Sequence, residues 1–107
     1  MSRFVVSKHA RERYVQVFGL EDRPDLYREI IEHVQECKPI SELEMLIIRK
    51  SKKNHYGTKD STGIHLIDRY QLVVFVIVEV EDGKKLIVTC YRANYLSNYI
   101  DKEQHVY

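Results

Sequence analysis

An uninterrupted run of apolar residues at 72–78 constrains the fold of this 107-residue chain more than any other feature. Most of these residues are β-branched or aromatic, and no polar residue alternates with them, which is typical of a central strand covered on both faces. Asp82-Gly83 follows shortly afterwards and favours a tight hairpin turn. The next apolar run, residues 86–91, is therefore predicted to be an antiparallel partner of the first.

Two amphipathic helices are predicted near the start of the chain. Residues 8–18 place apolar side chains on one stripe, and the following Gly19 suits the left-handed position after a helix. A second helix is predicted to begin near Pro24 and to end near Cys37, with apolar residues on one face and charged residues on the other. Each helix is expected to pack by one side only.

The other segments are predicted to be strands and a loop. Residues 3–6 are β-prone, residues 45–48 follow Pro39 and are predicted to begin a strand, and residues 64–69 alternate as a strand does. Residues 51–63 contain no aliphatic residue and are predicted to be a loop. The order β-α-α-β-β-β-β predicts an α+β domain, with two N-terminal helices packed on one face of a four- to five-stranded, mainly antiparallel sheet.

The length of the chain fits one domain. We expect residues 1–107 to form a single domain, with its core at about 3–92 and a C-terminal tail at 93–107. Cys37 and Cys90 do not make a disulfide framework, and no apolar stretch has the length of a signal peptide or a membrane span. The simplest expectation is a cytoplasmic protein with no membrane partner.

Positive charge is concentrated although the net charge is only +1. Residues 21–44 carry eight acidic and three basic residues, whereas residues 49–59 carry five basic residues and no acid. Such a basic segment can hold a nucleic-acid backbone, and the alternative is a solvated loop. The residues assigned to an RNA or phosphate interface here are Arg49, Lys50, Lys52, Lys53 and Tyr56.

The start of the first helix carries candidate chemistry. Ser7 is a reasonable N-cap, so His9 lies in the first turn, where backbone N–H groups and the helix dipole attract anions. Arg13 lies one turn further along the same margin. An imidazole, a guanidinium and a helix start together indicate an anion site, and the alternative is a solvated helix face.

Strand alternation supplies further candidates. Alternation places Leu86, Val88 and Cys90 on one face of the last strand, and Ile87, Thr89 and Tyr91 on the other. If the first set faces the helices, Thr89 and Tyr91 project from the opposite surface, where a hydroxyl can donate to a phosphate and a ring can stack on a base. Alternation likewise predicts that His65 is exposed, as a second acid or base. The alternative for Thr89 is a residue chosen for its β propensity. The histidines and cysteines lack the spacing of metal ligands and the glycines form no phosphate loop, so neither a metal nor a cofactor is expected.

Two motifs together resemble a known family. His9-Ala10-x-x-Arg13 at the start and Leu-Ile-Val-Thr-Cys-Tyr-Arg at 86–92 resemble the small HAxxR-type domains, which belong with the RelE-like and barnase–EndoU–colicin-like ribonuclease toxins. The resemblance spans about residues 7–92. It implies a RelE/barnase-like fold and RNA cleavage without metal, in proteins often encoded by phages or toxin systems. The long 51–63 segment and the tail depart from the family's pattern.

Carried over residue by residue, the family's opening histidine maps to His9, its helix arginine to Arg13 and its final-strand hydroxyl to Thr89. Metal-free RNA cleavage needs a base for the 2′-OH proton, donors that stabilise the phosphate, and an acid for the leaving oxygen. His9 can act as acid or base, Arg13 and Arg92 can clamp the phosphate, and Thr89 can donate to it. The second proton-transfer group would be His65 or Tyr91.

The sequence therefore predicts a metal-independent endoribonuclease, or ribonuclease-like toxin, that acts on RNA by acid–base transesterification. Two alternatives stay open: a non-catalytic RNA-binding module, and a phage or mobile-element protein that binds and inhibits a host protein. The partners expected are RNA and either a cognate antitoxin or a host protein. The prediction requires that the fold place His9 and Arg13 close to Thr89 or Arg92.

Overall fold

The apolar run at 72–78 forms the middle strand of a five-stranded sheet. The computed structural model of the chain describes residues 3–50 and 63–97. The strands are β1 (Arg3–Val6), β2 (Lys38–Pro39), β3 (Ile64–Asp68), β4 (Val73–Glu79) and β5 (Lys84–Arg92). The helices are α1 (Lys8–Phe18), α2 (Leu26–Glu36) and α3 (Glu42–Lys50), with short 3₁₀ turns at Glu81–Gly83 and Asn94–Leu96.

The strand order in the sheet is β1-β5-β4-β3-β2. The pairings β2–β3, β3–β4 and β4–β5 are antiparallel, and β1 runs parallel to β5. The predicted α+β class, with two N-terminal helices on one face of a mainly antiparallel sheet, is confirmed. β1 lies at one border of the sheet and pairs only with the first half of β5, from Lys84 to Ile87.

The first face of the sheet is covered by α1 and α2. The apolar stripes of the two helices, including Tyr14 and Ile30, are buried against Phe75, Ile77 and Ile87 of the central strands. Gly19 ends α1 in the left-handed conformation, with φ of 62°, as its position in the sequence predicts. These two helices therefore pack by their apolar sides, and their charged sides face solvent.

A third helix replaces a predicted strand. Residues 45–48 lie inside α3, so the prediction that they begin a strand is wrong. The cause is a capping box: the Glu44 backbone N–H donates to Ser41 Oγ at 3.1 Å, and the Ser41 N–H donates to Glu44 Oε1 at 2.8 Å. Arg69 donates to both carboxylate oxygens of Glu44, at 2.8 and 3.2 Å, and thereby ties the start of α3 to the sheet.

The second face of the sheet is covered as well. Ile48 of α3 and Leu96 are fully buried against Ile67, Val74 and Val76. The prediction that β4 is covered on both faces is therefore correct. The expectation that the face opposite α1 and α2 is a surface is wrong, because α3 lies across that face.

A β-bulge in β5 changes which side chains share a face. Val76 and Ile77 are adjacent in β4, yet they pair with Thr89 and Ile87, so Val88 has no partner in the ladder. Ile87 therefore joins the core under α1 and α2. Its predicted placement on the same face as Thr89 is wrong, because alternation fails across the bulge.

None of the helices in the described ranges has both the length and the apolar character that crossing a membrane requires.

Candidate functional site

α1 begins where the pairing of β1 with β5 ends. The Ser7 backbone N–H donates to Ile87 O at 3.1 Å, and its hydroxyl donates to Val88 O at 2.9 Å. The same hydroxyl accepts the Ala10 N–H at 3.0 Å, so Ser7 is the N-cap that the sequence predicts. One residue thus caps the helix and attaches it to the border of β5.

The rest of α1 follows the same border of β5. Arg13 Nε donates to Cys90 O at 3.3 Å. Arg92 Nη2 donates to Val17 O at 2.9 Å, and its Nη1 donates to Gln71 O at 3.3 Å. Arg13 of α1 thus binds the backbone of β5, and Arg92 of β5 binds the backbone of α1. The structure therefore brings the two motifs side by side.

Basic residues line this border of the sheet. Residues 3–18 and 84–92 together contain seven lysines and arginines and one acid, whereas residues 21–36, in α2 and the segment before it, contain six acids and two bases. His9 is exposed in the first turn of α1, and Arg3 pairs with Lys84 across β1 and β5. We call the following residues the basic edge: Arg3, Lys8, His9, Arg13, Lys84, Lys85 and Arg92.

Three predicted catalytic side chains lie inside the protein. Thr89, His65 and Tyr91 are 1%, 5% and 6% exposed, so the prediction that they project from an open surface is wrong. Tyr91 belongs to the core that α3 covers, and His65 faces the same side because it pairs with Val76. Of the predicted catalytic set, His9 is exposed and Arg13 is half-buried.

Replacement of Thr89 with valine is expected to leave stability unchanged or to raise it by up to about 1 kcal/mol. The hydroxyl is buried and forms no hydrogen bond with the part of the chain that the structure describes, whereas valine has the same shape and no polar atom to desolvate. Urea unfolding of the variant measures this. Thr89→Ser, which keeps the hydroxyl and loses the methyl group, is the matched control and should be less stable than the parent. A Thr89→Val variant that is clearly less stable than the parent would contradict the view that the Thr89 hydroxyl contributes nothing to the core.

Part of the predicted phosphate interface falls outside the described residues. Lys50 is the exposed last residue of α3. The side chain of Arg49, together with Lys52, Lys53 and Tyr56, lies outside the described part of the chain.

A pocket of about 770 Å³ lies between α2 and the turn that joins β3 to β4. A hydrogen-bonded chain crosses its wall: His33 Nε2 is 2.6 Å from Asp68 Oδ2, and the Tyr14 hydroxyl is 2.9 Å from His33 Nδ1. This chain of groups was not identified from the sequence. One signal was present: His33 is next to Val34 at the apolar side of α2, and a polar ring placed there needs hydrogen-bond partners inside the protein. The residues that line the pocket are Tyr14, Glu29, Glu32, His33, Glu36, Cys37, Lys38, Ile67, Asp68, Arg69, Tyr70 and Gln71.

Asp68 organises the turn at this pocket. Its Oδ1 accepts the backbone N–H groups of Tyr70 and Gln71, at 2.9 and 3.2 Å. Burial raises the pKa of Asp68, but the hydrogen bond from His33 and the two backbone N–H groups lower that pKa further, so it lies below the usual value. Both ring nitrogens of His33 are engaged, so the chain of groups serves to join α1, α2 and β3.

The cysteines do not supply a nucleophile. Burial raises the pKa of Cys37 and of Cys90 to about 12, so both thiols stay protonated near neutral pH. Within residues 3–50 and 63–97, no group of three or more His, Cys, Asp or Glu side chains could hold a metal ion.

Arg92 connects the basic edge with the pocket. Its guanidinium donates to the carbonyl of Gln71, a pocket residue, and lies over the Phe18 ring, 5.6 Å from the centroid. Phe18 packs in turn on Tyr14, with the ring centroids 4.6 Å apart.

No family model, curated protein or solved structure matches this chain.

Proposed function

We propose that this protein binds RNA along the basic edge and cleaves it without a metal, by acid–base transesterification. The observation that supports the proposal is the packing of α1 along β5, which places His9, Arg13 and Arg92 on one border of the sheet. From Lys84 to Arg92 this border measures about 27 Å at the rise of a strand, which is long enough for several phosphates. A concentration of positive charge along this border favours the binding of a polyanion there.

Each group on this edge has a chemical role in the proposal. His9 is exposed in the first turn of a helix, where its imidazole is placed to act as the general acid or base. Arg13 and Arg92 carry permanent charges that backbone carbonyls hold in place, which suits groups that stabilise a phosphate as charge builds on it. Thr89 has no direct role in this proposal, because its hydroxyl is buried.

His9→Ala is expected to lower RNA cleavage by about 100-fold or more, the usual contribution of a general acid or base. The measurement is the formation of 2′,3′-cyclic phosphate ends from a labelled RNA by the purified protein. Glu12→Gln is the matched control, because it changes an exposed residue of the same helix and removes the one acidic side chain of α1. The control should cleave RNA at least as fast as the parent. Unchanged cleavage by His9→Ala would remove His9 from the mechanism.

The second candidate function is RNA binding without cleavage. The burial of Thr89, His65 and Tyr91 favours it, since these side chains do not reach the surface that His9 occupies. Binding that weakens steeply with salt, in a protein that forms no cyclic phosphate, would establish this function in place of the first.

A cytoplasmic role as a toxin extends the first proposal. A ribonuclease of this kind should arrest the growth of a bacterial host when it is expressed, and His9→Ala should relieve that arrest. Growth arrest that persists in the His9→Ala strain would favour inhibition of a host protein.

A further inference from the structure

The pocket beside Arg92 has an aromatic group at its mouth. Tyr70 is 98% exposed, in a turn that Asp68 fixes by accepting its backbone N–H. Exposure of a large aromatic ring to water is unfavourable. A flat ligand that stacks on the ring removes it from water and is therefore stabilised there. Tyr14 and Ile67, which are almost fully buried, also line this pocket.

The rim of the pocket accepts hydrogen bonds. Glu32 and Glu36 lie one turn apart on α2 and are exposed at the rim. Glu29 at the same rim is already paired with Arg23, at 2.7 Å. The carboxylates of residues 32 and 36 can therefore accept N–H groups from a ligand, whereas they would repel a phosphate placed at the same point.

Positive charge lies in the pocket wall and next to it: Lys38 and Arg69 line the pocket, Arg69 is paired with Glu44, and Arg92 adjoins the lining residue Gln71. Arg92 contacts the carbonyl of Gln71, which lines the pocket, and it is also the last residue of the basic edge. A ligand that spans this position needs an anionic group for Arg92 and a flat part with N–H donors for the pocket. A nucleotide with an exocyclic amino group has both, and on the basic edge it would be one unit of a bound RNA.

We propose that this pocket is a nucleobase subsite that accepts cytosine, adenine or guanine in preference to uracil, with the attached phosphate on Arg92. The inference rests on the proposed RNA-binding function and adds a base preference to it. The ring of Tyr70 stacks on the base, and the carboxylates of Glu32 and Glu36 accept its amino group. Uracil presents a carbonyl oxygen where cytosine presents that amino group, so the carboxylates repel it.

The test compares binding of CMP and UMP to the full 107-residue chain, followed by the NMR shifts of its backbone amides. The two nucleotides carry the same phosphate and sugar, so a difference between them reports the base alone. We expect CMP to shift the amides of Tyr70 and Gln71 and to bind about 10-fold more tightly than UMP, in the range of one base-edge contact. Tyr70→Ala should weaken CMP binding by about 5- to 100-fold, and Tyr70→Phe, which keeps the ring, should bind as the parent does.

A double variant tests the rim. Glu32→Gln with Glu36→Gln should remove the preference for CMP over UMP without weakening UMP, since glutamine can donate to the uracil oxygen. Equal binding of CMP and UMP by the parent, or shifts confined to the basic edge, would overturn the subsite. RNA cleavage and its response to His9→Ala are measured separately. The protein can therefore bind CMP in the pocket without cleaving RNA, and it can cleave RNA without binding CMP in the pocket.

Discussion

Asp68→Asn should lower the free energy of unfolding by about 3 kcal/mol. The carboxylate accepts the His33 ring N–H at 2.6 Å and the backbone N–H groups of Tyr70 and Gln71, so one residue satisfies three donors. An asparagine has one acceptor oxygen, and its amide N–H₂ would face a donor at one of these positions. A buried donor left without an acceptor costs about 1–3 kcal/mol, and hydrogen bonds to a charged group are the stronger ones.

The same variant should have a flatter stability profile in acid. Burial raises the pKa of Asp68, but the hydrogen bonds from His33 and from the two backbone N–H groups lower it below the value of the unfolded chain, about 3.9. The folded state therefore binds this proton less tightly than the unfolded state. The contribution to stability is complete above pH about 4 and is lost as the pH falls through the folded pKa. The stability of the variant should still fall somewhat in acid because of Glu44. Burial raises the pKa of Glu44, but its hydrogen bonds with Arg69 and Ser41 lower that pKa further, so it also lies below the usual value.

Urea unfolding at several pH values between about 3 and 7 measures both effects. Glu32→Gln is the matched control, since it removes an exposed carboxylate from the same pocket and should change stability by less than about 0.5 kcal/mol. If Asp68→Asn unfolds at the same urea concentration as the parent and with the same pH profile, the contacts of Asp68 with His33 and the turn contribute nothing to stability.

The central strands could be predicted because their pattern is local. Residues 72–78 and 86–91 are rich in β-branched residues, and the intervening Asp82-Gly83 specifies the reversal. α3 was missed because a run of four apolar residues at 45–48 does not distinguish a strand from a helix by periodicity. The discriminating signal was Ser41-x-x-Glu44, the sequence of a capping box, which precedes that run.

The site could be predicted only in part, because alternation tells which side chains share a face but not what covers that face. If residues 45–48 form a strand, the side chains of Thr89 and His65 meet solvent. Those residues form α3 instead, and both side chains are buried on the face that α3 covers. His9 was assigned correctly to a first helical turn, since an N-cap is a local feature. The contact between His33 and Asp68 joins residues 35 positions apart, and only the packing of α2 beside β3 brings them together.

Neutralising three lysines of the basic edge should weaken RNA binding by about 100-fold at 0.1 M salt. Lys8, Lys84 and Lys85 lie on α1 and at the start of β5. Each lysine that neutralises a phosphate of a single strand steepens the salt dependence of log K by about 0.7, so the loss of three should make the slope shallower by about 2. Over the tenfold change from 1 M to 0.1 M salt, that difference corresponds to about two orders of magnitude in affinity.

The triple variant Lys8→Gln, Lys84→Gln, Lys85→Gln separates this surface from a general effect of net charge. Its matched control is Arg28→Gln, which removes an exposed positive charge from α2, among the acidic residues. Binding of a fluorescent oligoribonucleotide, measured from 0.05 to 0.5 M salt, should show a shallower slope for the triple variant and an unchanged slope for the control. An unchanged slope in the triple variant would mean that RNA does not bind at these three lysines. Lysines that neutralise phosphates release counterions, so their removal has to change the salt dependence of binding.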